Sequence, residues 1–205
     1  FLHALSAYEP AAIAVDVWFE SPEPTREVDL ALDLADRLRL SGLAVDEPGL
    51  SLAAGLDVLA DELDGDLQLT RALAASGRTL LGFTCLSGVD VPGLAAGAPL
   101  PDGPAPAFQC DALSGSYSTL ALAAADHGGV YVLHDPDNRV RRYPFLLGSG
   151  GQRHPSLALA AVRMGRPDAF EAALQRVEGL DGGAPILRAI SPESFDKVRF
   201  TDLLL

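Results

Sequence analysis

Lysine is almost missing from this chain. Lys197 is the single lysine among 15 basic residues, against 28 acidic ones, and the formal net charge is −13. A chain so poor in basic charge has no surface with which to neutralise nucleic-acid phosphates. The same sign opposes docking on anionic lipid headgroups. The scarcity of lysine, with the abundant Ala and Leu, reads as GC-rich coding and not as function. No stretch offers about 18 uninterrupted apolar residues, so no segment spans a membrane. Cysteine is limited to Cys85 and Cys110, outside any C-x-x-C, so zinc and thioredoxin-like readings have no support. In a reducing compartment the two are small buried hydrophobes; in an oxidising one they can form a single disulfide. Phe1 stands where an initiator Met would, with no signal peptide before it. We therefore expect a piece of a longer protein.

The usual catalytic signatures are missing too. There is no G-x-S-x-G, H-E-x-x-H or G-x-x-x-x-G-K-[ST]. The Asp135-x-Asp137 turn opens like a calcium loop, but Arg139 stands where a third oxygen ligand is needed. His3, His127, His134 and His154 have no metal-type pairing at short spacing. No catalytic residue, metal site or cofactor is expected.

What is present is a core. The chain has 205 residues, 48% of them hydrophobic, enough for one folded domain over residues 1–205 and too apolar for a solvated coil. Ala11 to Phe19 is a short apolar run bounded by Pro10 and Pro22, the pattern of a strand buried on both faces. Val28, Leu32, Ala35 and Leu38 mark one helix, and Leu52, Leu56, Leu59 and Leu63 a second. Asp66 caps a third helix, which Gly77 closes. A strand follows at Thr79 to Thr84. Residues 87–109 form a long Gly- and Pro-rich connection. Helix returns over Ser118 to His127. Gly129 to Leu133 and Val140 to Leu147 read as a hairpin about the Asp135–Asn138 turn. Pro155-Ser156 opens a helix that Gly165 stops. Ala169 to Val177 is helical, and Ala184 to Ile190 has strand character. The fold class expected is α/β: three layers, a mixed and mainly parallel central sheet, and a late β-hairpin.

Three places invite a functional reading. Asp16 closes the first apolar strand, and ligands of α/β sheets bind at the carboxyl ends of strands; local capping or pairing is the plainer role. Trp18 can line a pocket or pack in the core. Arg139, Arg141 and Arg142 lie on one strand; either a carboxylate pairs with them or an anion binds.

The residues also carry a resemblance. "YEPAAIAVDVWFESPEP" resembles the early strand of CHASE2 domains, which runs into D-x-x-F and a Glu/Pro-rich loop. "GDLQLTRALAASGRTLLGF" resembles the family's helix and following strand. "ADHGGVYVLHDPDNRVRRYPFLL" and then "HPSLALAAVRMG" are similar to its Gly-containing strand, D-x-D-G turn, V-x-R-x-x-P-L and P-S-L-A-L. "FDKVRFTDLL" fits the next segment. Asn138 replaces the usual turn Gly and also tolerates left-handed φ. The family's opening strand and its closing strand and helix have no counterpart here.

The resemblance implies an extracytoplasmic sensor module of a bacterial membrane receptor, periplasmic or extracellular. It would bind an unidentified small molecule or protein and signal through flanking transmembrane helices to a cyclase or kinase output. The module itself would not be an enzyme, and the full receptor can be a homodimer. By matching, Asp16 and Arg141 fall on the D-x-x-F and V-x-R patterns and, with Trp18, are the ligand-binding candidates. The alternatives from other classes are a hydrolase or transferase using scattered acidic or His residues, and a dimerisation module without ligand.

Overall fold

A computed structural model describes residues 2–43, 47–86, 98–103, 105–106, 108–134, 136–142 and 144–178. Helix α1 (Leu2–Ser6) and strand β1 (Ile13–Val15) come first. Helices α2 (Arg26–Leu40), α3 (Glu47–Leu63) and α4 (Gly65–Ser76) lead to strand β2 (Thr79–Leu86). Strands β3 (Gln109–Cys110) and β4 (Ala112–Ser114), helix α5 (Ser118–Ala123) and strand β5 (Asp126–Gly129) follow. Strands β6 (Leu133–His134), β7 (Val140–Arg142), β8 (Leu146–Ser149) and β9 (Gln152–Pro155) precede helices α6 (Leu157–Gly165) and α7 (Pro167–Glu178).

β2 organises the domain. It pairs in parallel with β1 (Ala14 opposite Leu80) and with β5 (Gly82 opposite Gly128). Its last residues pair antiparallel with β4 (Cys85 opposite Leu113). Successive side chains of a strand point to opposite faces. Leu81 accordingly packs with Leu2, Leu73 and Leu120 under α1, α4 and α5, while Leu80 packs with Leu157 and Ala160 of α6. α7 lies outside α6, with Phe170 and Leu174 against Leu159. That is the expected three-layer α/β architecture with a mixed sheet. A second sheet, β3-β8-β9, stands beside the first. A disulfide between Cys85 on β2 and Cys110 on β3 ties the two sheets together, within a cluster of Phe83, Leu113 and Leu147.

Local chemistry sets the helix ends. The N-cap of α4 is Asp64, whose carboxylate accepts the Leu67 N–H at 2.9 Å; Asp66, the expected cap, lies in the first turn. Gly77 ends α4 in the left-handed region, φ 59°. Ser156 caps α6, its Oγ accepting the Leu159 N–H at 3.2 Å. At Gly128 an added Cβ would stand 2.4 Å from Leu157 Cα, so only glycine lets β5 meet the start of α6.

Three further expectations need correction. The run 11–19 is strand only over Ile13–Val15, and Ala14 is exposed. An apolar run cannot reveal whether partners cover both faces. The fifth helix stops at Ala123, because Asp126 already pairs with Leu80 in the sheet. The late hairpin is two. β6 pairs with β7 about Asn138 (φ 59°), and β8 pairs with β9 about Gly150 and Gly151 (φ 56° and 77°). The expected helix with the leucine spacing is α3; its leucines turn largely to solvent, and Ala53 and Ala60 are its buried residues. The strand character at 184–190 lies outside the described residues.

Candidate functional site

The parallel strands β1 and β2 have their carboxyl ends on one side of the sheet. Short connections force the helix that feeds a strand to run against it. The first residues of α4 therefore lie at the carboxyl side of β2. The chain leaving β1 passes the same place: the Phe19 N–H donates to Ser116 Oγ at 3.1 Å, and the Tyr117 N–H donates to the Phe19 carbonyl at 2.8 Å. Three segments distant in sequence converge here. They enclose a cleft of about 260 Å³ lined by Pro22, Glu23, Thr25, Asp64, Asp66, Leu67, Thr70, Tyr117 and Thr119. This is the edge of an α/β sheet at which ligands bind.

The cleft is acidic but braced. Asp66 accepts the Glu23 N–H at 2.7 Å, which fixes the loop after β1 to α4. Asp64 is committed to the Leu67 N–H. Thr70 Oγ1 donates to the Asp66 carbonyl at 2.7 Å. Tyr117 differs: its Oη is buried and has no hydrogen-bond partner. Burial, first, and then the nearby carboxylates of Asp66 and Asp64 push the phenol up to about 12, so it stays protonated. Asp66 acts on it first as a near hydrogen-bond acceptor and then through its charge, although the two do not reach aligned hydrogen-bond geometry. A buried hydroxyl without a partner costs about 1–3 kcal/mol unless something completes its bonding.

A second concavity, of about 310 Å³, lies between the proline-rich stretch Pro99–Pro106 and the β8–β9 turn. Arg153, on its wall, donates from Nη1 to the Pro101 carbonyl at 2.9 Å.

Asp16 is exposed and Trp18 half-buried, both on the stretch that carries β1 toward the cleft. Trp18 Nε1 donates to Glu20 Oε1 at 3.3 Å. Neither lines the cleft. Arg141 belongs to the β6–β7 ladder, a different sheet, and its side chain lies outside the described residues. Strand pairing thus does not unite Arg141 with Asp16. Glu23, Asp64 and Tyr117 were not visible as a site in the sequence, because residues 22–25, 64–70 and 117–119 have no common spacing. The one signal was the Asp64-Gly65-Asp66 opening of a helix whose strand lies in a parallel sheet.

Among the described residues no group of three or more His, Cys, Asp or Glu could hold a metal ion. Among them, too, no helix is long and apolar enough to cross a membrane. No curated protein and no solved structure matches the chain. The family model of the CHASE2 domain matches residues 1–205, and CHASE2 domains are extracytoplasmic sensor domains of receptors. The chain belongs to the CHASE2 domain family.

Proposed function

We propose that this domain is the ligand-binding input of a bacterial membrane receptor, and that its ligand is a small organic cation bound in the cleft at the carboxyl side of the sheet. The signal would pass through flanking transmembrane helices to a cyclase or kinase output. The observation that carries the ligand site is the Tyr117 hydroxyl, buried and unpartnered on the cleft wall. Its protonated state lets it donate to a ligand oxygen. Glu23, Asp64 and Asp66 give the cleft a negative field, stronger in a narrow space than on an open surface. A compact ammonium with an oxygen acceptor, such as an amino alcohol, suits both features. Asp16 and Trp18 would form the approach to the cleft, and Arg141 would serve the separate ladder as an anion or carboxylate partner. The disulfide Cys85–Cys110 supports an oxidising, extracytoplasmic setting.

Titration calorimetry with choline and ethanolamine, and with putrescine as a cation without an oxygen acceptor for comparison, tests this directly. At least one should bind to the purified domain. Tyr117→Phe should weaken that binding at least tenfold while leaving the melting temperature unchanged or raised, because it deletes an unsatisfied buried hydroxyl. No binding by any of the three, or equal binding to Tyr117→Phe, overturns the cation reading.

A further inference from the structure

The α2–α3 hairpin carries an apolar face that nothing among the described residues covers. Its two helices meet through small residues: Val28 and Ala31 of α2 pack on Ala60 of α3, and Ala35 and Ala53 are also buried. At 3.6 residues per turn, Leu30 and Leu34 lie to one side of that seam on α2. Leu52, Leu56, Leu59 and Leu63 lie to the corresponding side on α3. Because the helices of the hairpin run antiparallel, these two flanks form one face. The opposite face carries the Arg39–Asp57 ion pair and Asp61, which pairs with Arg71 of α4 at 2.9 Å. The leucine face therefore points away from α4. Leu30, Leu34, Leu52, Leu59 and Leu63 are 43% to 59% exposed. The α3 leucines have spacings of four, three and four, the seam of a coiled coil, yet the partner helix inside this chain sits on the alanines instead.

We infer that this face is a homodimer interface, in which two α2–α3 hairpins stack as an antiparallel four-helix bundle about a two-fold axis. The leucines themselves indicate the axis. Leu30 and Leu34 are equidistant from Leu32. Leu52 and Leu63, and likewise Leu56 and Leu59, are equidistant from the step between Asp57 and Val58. Ala60 packs between the levels of Val28 and Ala31, which puts the 57–58 step level with Leu32. One rotation across the hairpin at that level therefore exchanges all three leucine pairs, as an isologous interface requires. It also lays Glu27, in the first turn of α2, over Arg37, in the last turn of α2 of the second copy. The charged residues in line with Leu34 and Leu30, Glu27 and Arg37, meet as opposite charges across the axis, so a chain of net charge −13 can associate there without burying like charges. Two helices side by side, about 25 Å long and about 20 Å across, offer a footprint of about 500 Å² per partner before corrugation, about 1,000 Å² in total, which is at the lower bound for a specific interface.

Sedimentation equilibrium of the whole chain over a concentration series tests the inference. The wild-type chain should dimerise. Leu34→Glu with Leu59→Glu should weaken the dimer at least a hundredfold with an unchanged far-ultraviolet spectrum, since both leucines are solvent-facing in the monomer. Glu27→Arg alone should weaken it at least threefold, and adding Arg37→Glu should restore it, because a two-fold axis repairs the swapped pair. A monomer at every concentration overturns the inference. So does a dimer indifferent to the leucine substitutions, which would lie on another face, or a charge swap without rescue.

Discussion

Asp126 and Arg163 join the sheet to the outer helical layer, and removing the carboxylate should be costly. Arg163, on α6, donates to Asp126 Oδ2 from Nε at 3.1 Å and from Nη2 at 2.5 Å. The other carboxylate oxygen accepts the His127 N–H at 2.9 Å. The two side chains are only 21% and 14% exposed, so solvent screens the pair weakly. Arg163 also donates to the Ala98 carbonyl at 3.2 Å and lies 6.0 Å from the Phe170 ring centre. In Asp126→Ala the guanidinium keeps those contacts but loses its counter-ion. Breaking a buried pair from one side costs about 3–5 kcal/mol, and partial exposure argues for the lower end, about 3 kcal/mol. At 2–4 °C per kcal/mol for a chain of this size, melting should fall by about 6–12 °C. Urea unfolding followed by circular dichroism reads the same quantity. The cycle with Arg163→Leu separates the pair from its surroundings: the double variant should cost at least about 1 kcal/mol less than the two singles summed. A single-variant cost below about 0.5 kcal/mol, or simple additivity, would refute the reasoning.

Three further outcomes follow from the described geometry. Reducing Cys85–Cys110 reopens a 25-residue separation, which on chain-entropy grounds costs about 3.5 kcal/mol and should lower the melting temperature in dithiothreitol; an unchanged melting curve after complete reduction contradicts this. Gly128→Ala should destabilise by at least about 3 kcal/mol, because its methyl group would meet the Leu157 and Ser156 backbone, which can yield only by moving α6 off β5; calorimetry showing a loss under about 1 kcal/mol would mean that the close approach is not real. Burial lowers the His127 imidazolium pKa from its usual value, the Asp126 charge opposing more weakly. The unfolded chain then binds a proton that the folded one refuses, so this contribution is whole above the unfolded value of about 6.5 and is lost as pH falls below it. His127→Gln should flatten the stability profile below about pH 6.5; a profile of unchanged slope there counts against it.

Much of the architecture was legible because single residues dictate it. Gly77 can end α4 in the left-handed region, Ser156 can cap α6, and Thr79–Thr84 has the unbroken apolar character of a central strand. Strand lengths were not legible. Nothing in Ala11–Phe19 records that β1 pairs for three residues only, and nothing near His127 records that Asp126 belongs to the sheet. The α3 leucine stripe was readable as helix but not as outward-facing, since periodicity gives a face and not its partner. The membrane-receptor family was legible in the 128–165 stretch. The cleft was not, because its walls come from segments that only the fold brings together.

The central claim is that the cleft beside Tyr117 is where the sensor meets its ligand. The most direct test is thermal unfolding of wild type and Thr119→Arg side by side with choline, ethanolamine and putrescine. The exposed Thr119 stands at the cleft rim, where an arginine would reach the carboxylates and occupy the space. At 100 times its dissociation constant a ligand adds about 2.7 kcal/mol. That is about 5–11 °C for a chain of this size. The account predicts such a rise in wild type for at least one of the three and its loss in Thr119→Arg. No rise with any of them, or the same rise in both proteins, would contradict it.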